Sequence, residues 1–217
     1  VFRFCENLTT VNFSDLSELN SIGEYAFANT KISEIILPPK ITKLEGCTFL
    51  NCKDLKTVSF SEDSELNKLN SIVKNAFYGS TIESFFFPPK LKELSYDWSC
   101  CTPKLTKIII SPKNRHYRFI ENKYLVGKSD ESKDDFDVLY FVRRDIDNFV
   151  VPLNIRVLSS FVFGWCQNLK TVKFQQDSDI VSIGKYAFSH STIENIFIPD
   201  KVGELNEGWF SSTSTVV

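Results

Sequence analysis

The sequence has no methionine, and it has only two histidines, eight glycines and eight prolines among its 217 residues. Neither sign of charge dominates, because 25 basic and 27 acidic residues give a formal net charge of -2. No basic field is therefore present to attract nucleic acid or an anionic membrane. The longest apolar runs, such as residues 138–142, are far too short to cross a hydrocarbon layer. We expect neither nucleic acid nor a membrane to contact this segment.

The sequence also lacks the common catalytic and nucleotide-binding motifs. It contains no G-x-S-x-G, H-E-x-x-H, Walker or Rossmann glycine pattern. His116 and His190 have no carboxylate or cysteine at motif spacing, and no C-x-x-C pair offers zinc ligands. We predict that this segment is not an enzyme and has no catalytic residue, metal or cofactor.

Phenylalanine is abundant, with 20 residues, and its positions are periodic. The pattern F-x-x-C-x-x-L-x-x-V-x-F begins at Phe2, Phe49 and Phe163. A version that is one residue shorter and runs into proline begins at Phe27, Phe77 and Phe188. The repeating unit is therefore a pair of repeats.

Because there is no methionine and no charged-then-apolar leader, we expect any initiator, signal peptide or anchor to lie outside this segment, and both ends to be cut within a repeat.

The repeat predicts one short strand per unit. Its last apolar positions alternate with polar ones, which is the period of a half-buried strand. Strands that return in the same sense after each repeat pair in parallel and stack as the rungs of a solenoid. The connections, such as Ile22–Phe27 and Ile183–Phe188, are too short for more than one helical turn. We expect short helical or 3₁₀ turns there.

The motifs S-I-G-x-Y-A-F, then C-x-x-L-x-x-V-x-F or I-x-x-I-x-I-P, resemble the BspA-like leucine-rich repeats of bacterial and protist surface proteins over nearly the whole chain. The resemblance implies an α/β fold by the leucine-rich-repeat convention, mainly β in content: a right-handed solenoid with a parallel concave sheet and turns on the convex side. It also implies one β-hairpin insertion at about 114–146 in a single solenoid over 1–217. We expect the charged tip of the insertion, 128–135, to be solvated and dispensable.

Four of the six cysteines, Cys5, Cys52, Cys101 and Cys166, are placed by the repeat in one column that also holds Thr30, Ser80 and Ser191. Small polar side chains in such a column satisfy buried backbone groups. Cysteines on alternate rungs are about 10 Å apart, beyond the reach of a disulfide, so we predict six thiols. The side chains of the adjacent Cys100 and Cys101 are expected to diverge.

The outward strand positions are the candidate binding site. The position before the last apolar residue of each strand is held by Asn12, Ile36, Ser59, Phe86, Ile109, Val150, Lys173 and Phe197. Five of these eight are apolar, and the polar column two residues earlier includes Glu34 and Lys107. An apolar strip with a polar rim is typical of protein-binding patches, and we expect Phe86, Ile109 and Val150 on consecutive strands. The alternative is that strand propensity alone selects these residues, or that neighbouring repeats cover them.

Two glycosylation sequons begin at Asn7 and Asn12. Members of the BspA-like group are regarded as adhesins and binders of extracellular matrix proteins. The resemblance therefore implies a cell-surface or extracellular module that binds host matrix or cell-surface proteins, or itself. Two alternatives stay open: a cytoplasmic interaction scaffold, with which the thiols agree, and a binding array attached to an enzyme domain outside the segment.

Overall fold

The computed structural model describes residues 1–60 and 67–211. They form two compact units, Val1–His116 and Tyr117–Val217, here called unit 1 and unit 2. Each unit is built from rungs of a β-solenoid, so the predicted fold class is confirmed. The prediction of one uninterrupted solenoid segment stays a prediction.

Unit 1 contains two parallel sheets. The first is made of longer strands in the order β1, β3, β5, β7, and these are Glu34–Leu37, Thr57–Phe60, Ser84–Phe87 and Lys107–Ile110. The second is made of two-residue strands in the order β2, β4, β6, and these are Lys43–Leu44, Ser71–Ile72 and Glu93–Leu94. The rungs of β1, β3 and β5 thus each contribute one long strand and one short strand.

The long strands of unit 1 follow the predicted alternation. Ile35 pairs with Val58, Val58 with Phe85, and Phe85 with Ile108, and all four side chains are buried. Prolines follow β1 and β5 directly, as expected for residues that cannot extend a strand ladder. The predicted strand at 10–13 is wrong, because the structure has no strand there.

Unit 2 contains a six-stranded sheet and a separate pair. The six strands, in the order β15, β14, β12, β10, β9, β8, are Glu204–Leu205, Ser182–Ile183, Val157–Leu158, Val138–Val142, Tyr124–Gly127 and Tyr117–Ile120. The separate pair is β11, Asn148–Val151, beside β13, Thr171–Phe174, in parallel. Residues 195–198 repeat the pattern but form no strand, so that prediction is also wrong.

The predicted β-hairpin is present in unit 2. β8, β9 and β10 pair antiparallel, and β10 then pairs in parallel with β12 of the repeat ladder. Glu121 and Asn122 both have positive φ, 49° and 53°, and the Lys123 amide donates to the Ile120 carbonyl at 2.8 Å. Two central residues with positive φ define a type I′ turn, here without the usual glycine.

The connecting segments are not helical. No residue in 1–60 or 67–211 adopts an α-helix or a 3₁₀-helix. The Phe27 amide instead donates to the Thr48 carbonyl of the next rung at 3.0 Å, while the Ala26 amide donates to Gly23 three residues earlier at 3.2 Å. Because alternate amides bond between rungs, the i to i-4 ladder of a helix cannot form. The expectation of helical or 3₁₀ turns is therefore wrong.

Stacked phenylalanines fill the centre of the rungs. In unit 1, the rings of Phe27 and Phe49 are parallel with centroids 5.5 Å apart, and so are the rings of Phe49 and Phe77. In unit 2, Phe163 stacks on Phe188 at 4.9 Å. Offset stacking of this kind adds to the burial of apolar area, so the periodic phenylalanine marks the core.

The column of small polar residues has the predicted structural role at Thr30, Cys52 and Ser191, but not at the exposed Cys5 or at Ser80, whose buried hydroxyl makes no hydrogen bond within the described residues. Thr30 Oγ1 donates to the Phe27 carbonyl at 2.8 Å, and Cys52 Sγ donates to the same carbonyl at 3.0 Å. In the rung of Trp98 this position belongs to Thr102 and not to Cys101. Thr102 is buried, and its hydroxyl donates to the Ser99 carbonyl at 2.7 Å. Thr102 lies three residues before the buried Leu105, as Cys52 lies before Leu55.

None of the six cysteines, all of which lie in the described residues, takes part in a disulfide. The prediction that Cys100 and Cys101 diverge is wrong, because their sulfur atoms are 3.4 Å apart. Cys101 has a positive φ of 59°, which turns its side chain back toward that of its neighbour. The thiol titration proposed below tests the state of all six cysteines in solution.

Candidate protein-binding surface

The outward face of the unit 1 sheet exposes aliphatic side chains. Ile36 on β1 is 57% exposed and Ile109 on β7 is 45% exposed. Phe86 pairs directly with Ile109 across β5 and β7, but its side chain is only half-exposed. The Phe60 ring contacts Phe86 edge-on, with centroids 6.2 Å apart. We define Ile36, Phe86 and Ile109 as the unit 1 apolar row; Ser59 lies between Ile36 and Phe86 in strand order.

A polar row runs beside the unit 1 apolar row. Glu34 on β1 and Lys107 on β7 are exposed at opposite edges of the sheet. Thr57 and Ser84 lie between them, in the pairing Glu34 to Thr57 to Ser84 to Lys107. The row is therefore acidic at one edge and basic at the other, which favours a partner that approaches in one orientation.

Unit 2 exposes a second, smaller group. Val150 on β11 is 54% exposed and pairs with the exposed Lys173 on β13. Phe197 is 76% exposed, and it lines a cleft of about 300 Å³ together with Phe174 and Pro199. We define Val150, Lys173 and Phe197 as the unit 2 exposed group.

The structure divides the predicted strip. Phe86 and Ile109 are direct partners, as predicted for consecutive strands. Val150 lies in a different sheet, because β8, β9 and β10 come between β7 and β11 in the chain and β11 pairs with β13. The binding role of all these residues, and of Glu34 and Lys107, stays a prediction.

Both sequon asparagines, Asn7 and Asn12, are exposed, so nothing in the described residues buries either acceptor. Asn12 was expected on a strand, and the structure has none there. Glycosylation at both sites stays a prediction.

The described residues contain no group of three or more histidine, cysteine or carboxylate side chains that could hold a metal ion. His190 stacks face to face on Trp165 with centroids 4.3 Å apart, and its Nδ1 lies 2.8 Å from Ser189 Oγ. The backbone amide of His116 donates to Asn114 Oδ1 at 2.9 Å. Both histidines therefore have structural contacts in their loops.

In the part of the chain that the structure describes, no helix is long and apolar enough to span a membrane.

The tip of the insertion is more ordered than the sequence indicates. The Ser129 amide and hydroxyl donate to the buried carboxylate of Asp137 at 2.8 and 2.6 Å. The ammonium of Lys128 lies over the Phe136 ring and pairs with Asp134 at 3.1 Å. Residues 130–135 are exposed, so the solvated part of the tip is shorter than the predicted 128–135.

Sequence reasoning missed Arg144, a buried cation in unit 2. Its Nη1 donates to the Val162 carbonyl at 2.9 Å and lies 3.7 Å from Cys166 Sγ. Its guanidinium stacks on the Phe141 ring at 4.6 Å. Burial raises the pKa of the Cys166 thiol, and the charge of Arg144 partly opposes that rise. The available signal was that Arg143 and Arg144 follow β10, where the hairpin insert of the BspA-like repeats usually ends in proline.

A family model of the BspA type leucine rich repeat region matches the chain in six copies, over residues 1–100 and 138–216. The chain therefore belongs to the BspA-type leucine-rich repeat family. The stretch between the matched ranges, 101–137, contains β7, β8 and β9. No curated protein matches the chain significantly.

Several solved structures are similar in fold. The pneumococcal vaccine antigen PcpA superposes with a TM-score of 0.80 at 22% identity, over 90% of this chain and 46% of that one. A leucine rich cell surface protein from Faecalibacterium prausnitzii superposes with a TM-score of 0.81 at 23% identity, over 97% and 53%. A leucine-rich repeat protein from Eubacterium ventriosum gives 0.60 at 17% identity, over 80% and 55%. The chain thus spans about half the length of these proteins.

Proposed function

We propose that this chain is a non-catalytic recognition module of a cell-surface protein, which binds host matrix or cell-surface proteins through the outward faces of its strands. The observation that carries the proposal is the exposure of Ile36, Ile109 and Val150 on strands whose alternate residues are buried, or half-buried in the case of Ile110. The fold does not need apolar side chains at these positions. Their presence there, beside a charged polar row, is what a protein-binding surface requires.

The surface location is supported by relatives. One similar structure is described as a cell surface protein and another as a vaccine antigen. A location at the cell surface would give such a module access to host proteins. The six thiols favour a second candidate, an interaction scaffold in a reducing compartment. Surface labelling of cells that express the full-length parent protein distinguishes the two locations.

The binding test changes exposed residues in each unit separately. Ile36→Ser with Ile109→Ser removes the aliphatic part of the unit 1 apolar row, and Val150→Ser with Phe197→Ser removes the apolar part of the unit 2 exposed group. Binding to immobilised matrix proteins and to host cells is measured, and sedimentation reports self-association. We expect at least one pair to weaken binding about tenfold or more, because two anchors of about 1 kcal/mol each exceed the 1.4 kcal/mol that tenfold requires.

Two matched controls each replace an exposed apolar residue that lies in a turn. Tyr96→Ser in unit 1 removes an aromatic side chain that is 63% exposed, and Leu153→Ser does the same for an aliphatic one in unit 2. Circular dichroism checks that every variant is folded. If both strand-face pairs bind as the wild type does, the outward faces are not the recognition surface and the proposal fails.

Glycans on Asn7 and Asn12 are proposed for a secreted form of the chain. Expression in a cell that glycosylates sequons should increase the mass of the protein, and Thr9→Ala with Ser14→Ala should abolish the increase. An unchanged mass of the wild-type protein would show that neither sequon is used.

A further inference from the structure

Two adjacent cysteines in unit 1 bring their thiols into contact. Cys100 Sγ and Cys101 Sγ are 3.4 Å apart, close enough for one thiol to donate to the other. Cys100 is buried and Cys101 is half-buried, so an oxidant in solution reaches Cys101 first. The rung column that needs a small polar residue is filled by Thr102, so neither cysteine of the pair occupies the position that Cys52 has in its own rung.

A tyrosine from the preceding rung completes the cluster. The Tyr78 hydroxyl forms a hydrogen bond with Cys101, and this bond, followed by the negative charge of Cys101, burial and the negative charge of Cys100, raises the pKa of Tyr78 to about 12. Tyr78 is itself exposed. The thiol pair therefore lies beside an exposed phenol at the surface of unit 1.

We propose that Cys100 and Cys101 are a redox-sensitive modification site, a vicinal dithiol that low-molecular-weight disulfides convert to an intramolecular disulfide. The Cys101 thiolate attacks one sulfur of the reagent, such as glutathione disulfide, and one glutathione thiolate leaves. The Cys100 thiolate then attacks Cys101 Sγ and displaces the second glutathione. The protein loses two protons and two electrons, and the reagent is reduced to two thiols.

The product is expected to be readily reversible. Adjacent Cα atoms are about 3.8 Å apart across a trans peptide, below the roughly 4.4 Å lower limit that ordinary disulfides span. The ring is therefore strained, and strained disulfides are reduced more readily than structural ones. A monothiol in excess should restore both cysteines.

The experiment treats the folded chain with glutathione disulfide, quenches with an alkylating reagent and analyses the proteolytic peptide of residues 93–104, which contains no other cysteine. The expected product is this peptide lacking two hydrogens, with neither glutathione nor alkyl group. Cys47 is the internal control, because it is half-buried and bonded to the Tyr25 hydroxyl but has no adjacent cysteine. The reaction of Cys47 should stop at the mixed disulfide with glutathione.

Variants separate the two steps. Cys100→Ala should trap glutathione on Cys101, and Cys101→Ala should leave the peptide alkylated and free of glutathione. Oxidation should also lower the pKa of one tyrosine from about 12 toward its ordinary value, and Tyr78→Phe should remove that signal. If Cys100→Ala does not fold, the wild-type peptide and the tyrosine titration still test whether the disulfide forms. A wild-type peptide that keeps glutathione, or that stays fully alkylated while Cys47 reacts, would overturn the proposal.

Discussion

Gly184 lies at a close approach between the backbones of two rungs of unit 2. A Cβ atom added there would lie 2.5 Å from the Ser160 nitrogen, 2.7 Å from the Ser159 carbonyl carbon and 2.9 Å from the Leu158 oxygen. All three atoms are backbone, so no flexible side chain can move aside. Gly184→Ala must therefore push the rung of β14 away from the rung of β12.

The cost follows from what the displacement breaks. Overpacking of this kind costs about 1–3 kcal/mol. The Gly184 amide donates to the Leu158 carbonyl at 2.8 Å, and loss of that hydrogen bond adds about 1 kcal/mol. We expect Gly184→Ala to lower the free energy of unfolding by about 2–4 kcal/mol.

Gly203→Ala is the matched control, since a Cβ at Gly203 meets nothing within 4 Å and the residue lies in the same unit. Its effect should be within about 0.5 kcal/mol of zero. Urea unfolding, followed by circular dichroism and by the fluorescence of Trp165 and Trp209, measures both variants. Equal stabilities for the two variants would refute the rung spacing described here.

Four further predictions concern other parts of the chain. Arg144→Leu should lose about 1–3 kcal/mol of stability in urea, because the buried Val162 carbonyl loses its charged donor. Thiol titration of the denatured, unreduced protein should count six cysteines, and four or fewer would show a disulfide. Replacing residues 130–135 by a Gly/Asn turn should leave the melting temperature nearly unchanged, whereas a loss of several degrees would mean that they pack on the body. The hydrogen bond from Arg143 lowers the pKa of Asp145 in the folded chain. The ion pair therefore stabilises the fold fully above the ordinary carboxyl pKa, and this stabilisation is lost as the pH falls through the lowered pKa of Asp145. Arg143→Ala should raise the pKa of Asp145 in an NMR titration.

The core could be predicted from the sequence because each rung repeats the same inward positions. The phenylalanine period identifies the stack that includes Phe49, and strand alternation identifies buried residues such as Val58 and Phe85. Strand formation itself was not fully predictable. Residues 10–13 and 195–198 have the same alternation as β1, but a strand requires ladder bonds to a neighbouring rung, which the local pattern does not encode.

The candidate surface was predicted in its positions but not in its continuity. Alternation placed Ile36, Ile109, Val150 and Phe197 outward, and all four are exposed. It could not show that the Phe60 ring half-covers Phe86, because that contact depends on side-chain direction on the adjacent strand. Nor could it show that Val150 belongs to another sheet, since β11 pairs with β13 and the antiparallel strands β8, β9 and β10 come between β7 and β11 in the chain.

The turns show why one repeat motif can carry different residues. Five turns place two residues in the left-handed region at positions four apart, which costs roughly 1–2 kcal/mol for a residue with a Cβ. In unit 1, residues that tolerate this region fill four such positions: Asn29, Asn51, Asn75 and Gly79. In unit 2, aromatic rings fill them: Phe161, Trp165, Tyr186 and His190. Phe161 stacks on Tyr186 with centroids 5.2 Å apart, and Trp165 stacks on His190 at 4.3 Å. Aromatic pairs contribute about 0.5–1.5 kcal/mol, which is comparable to the backbone cost. Residue choice therefore reduces the strain at these four positions of unit 1, although Tyr25, Cys47 and Cys101 also adopt positive φ there. Stacking between rungs offsets the strain at the four aromatic positions of unit 2.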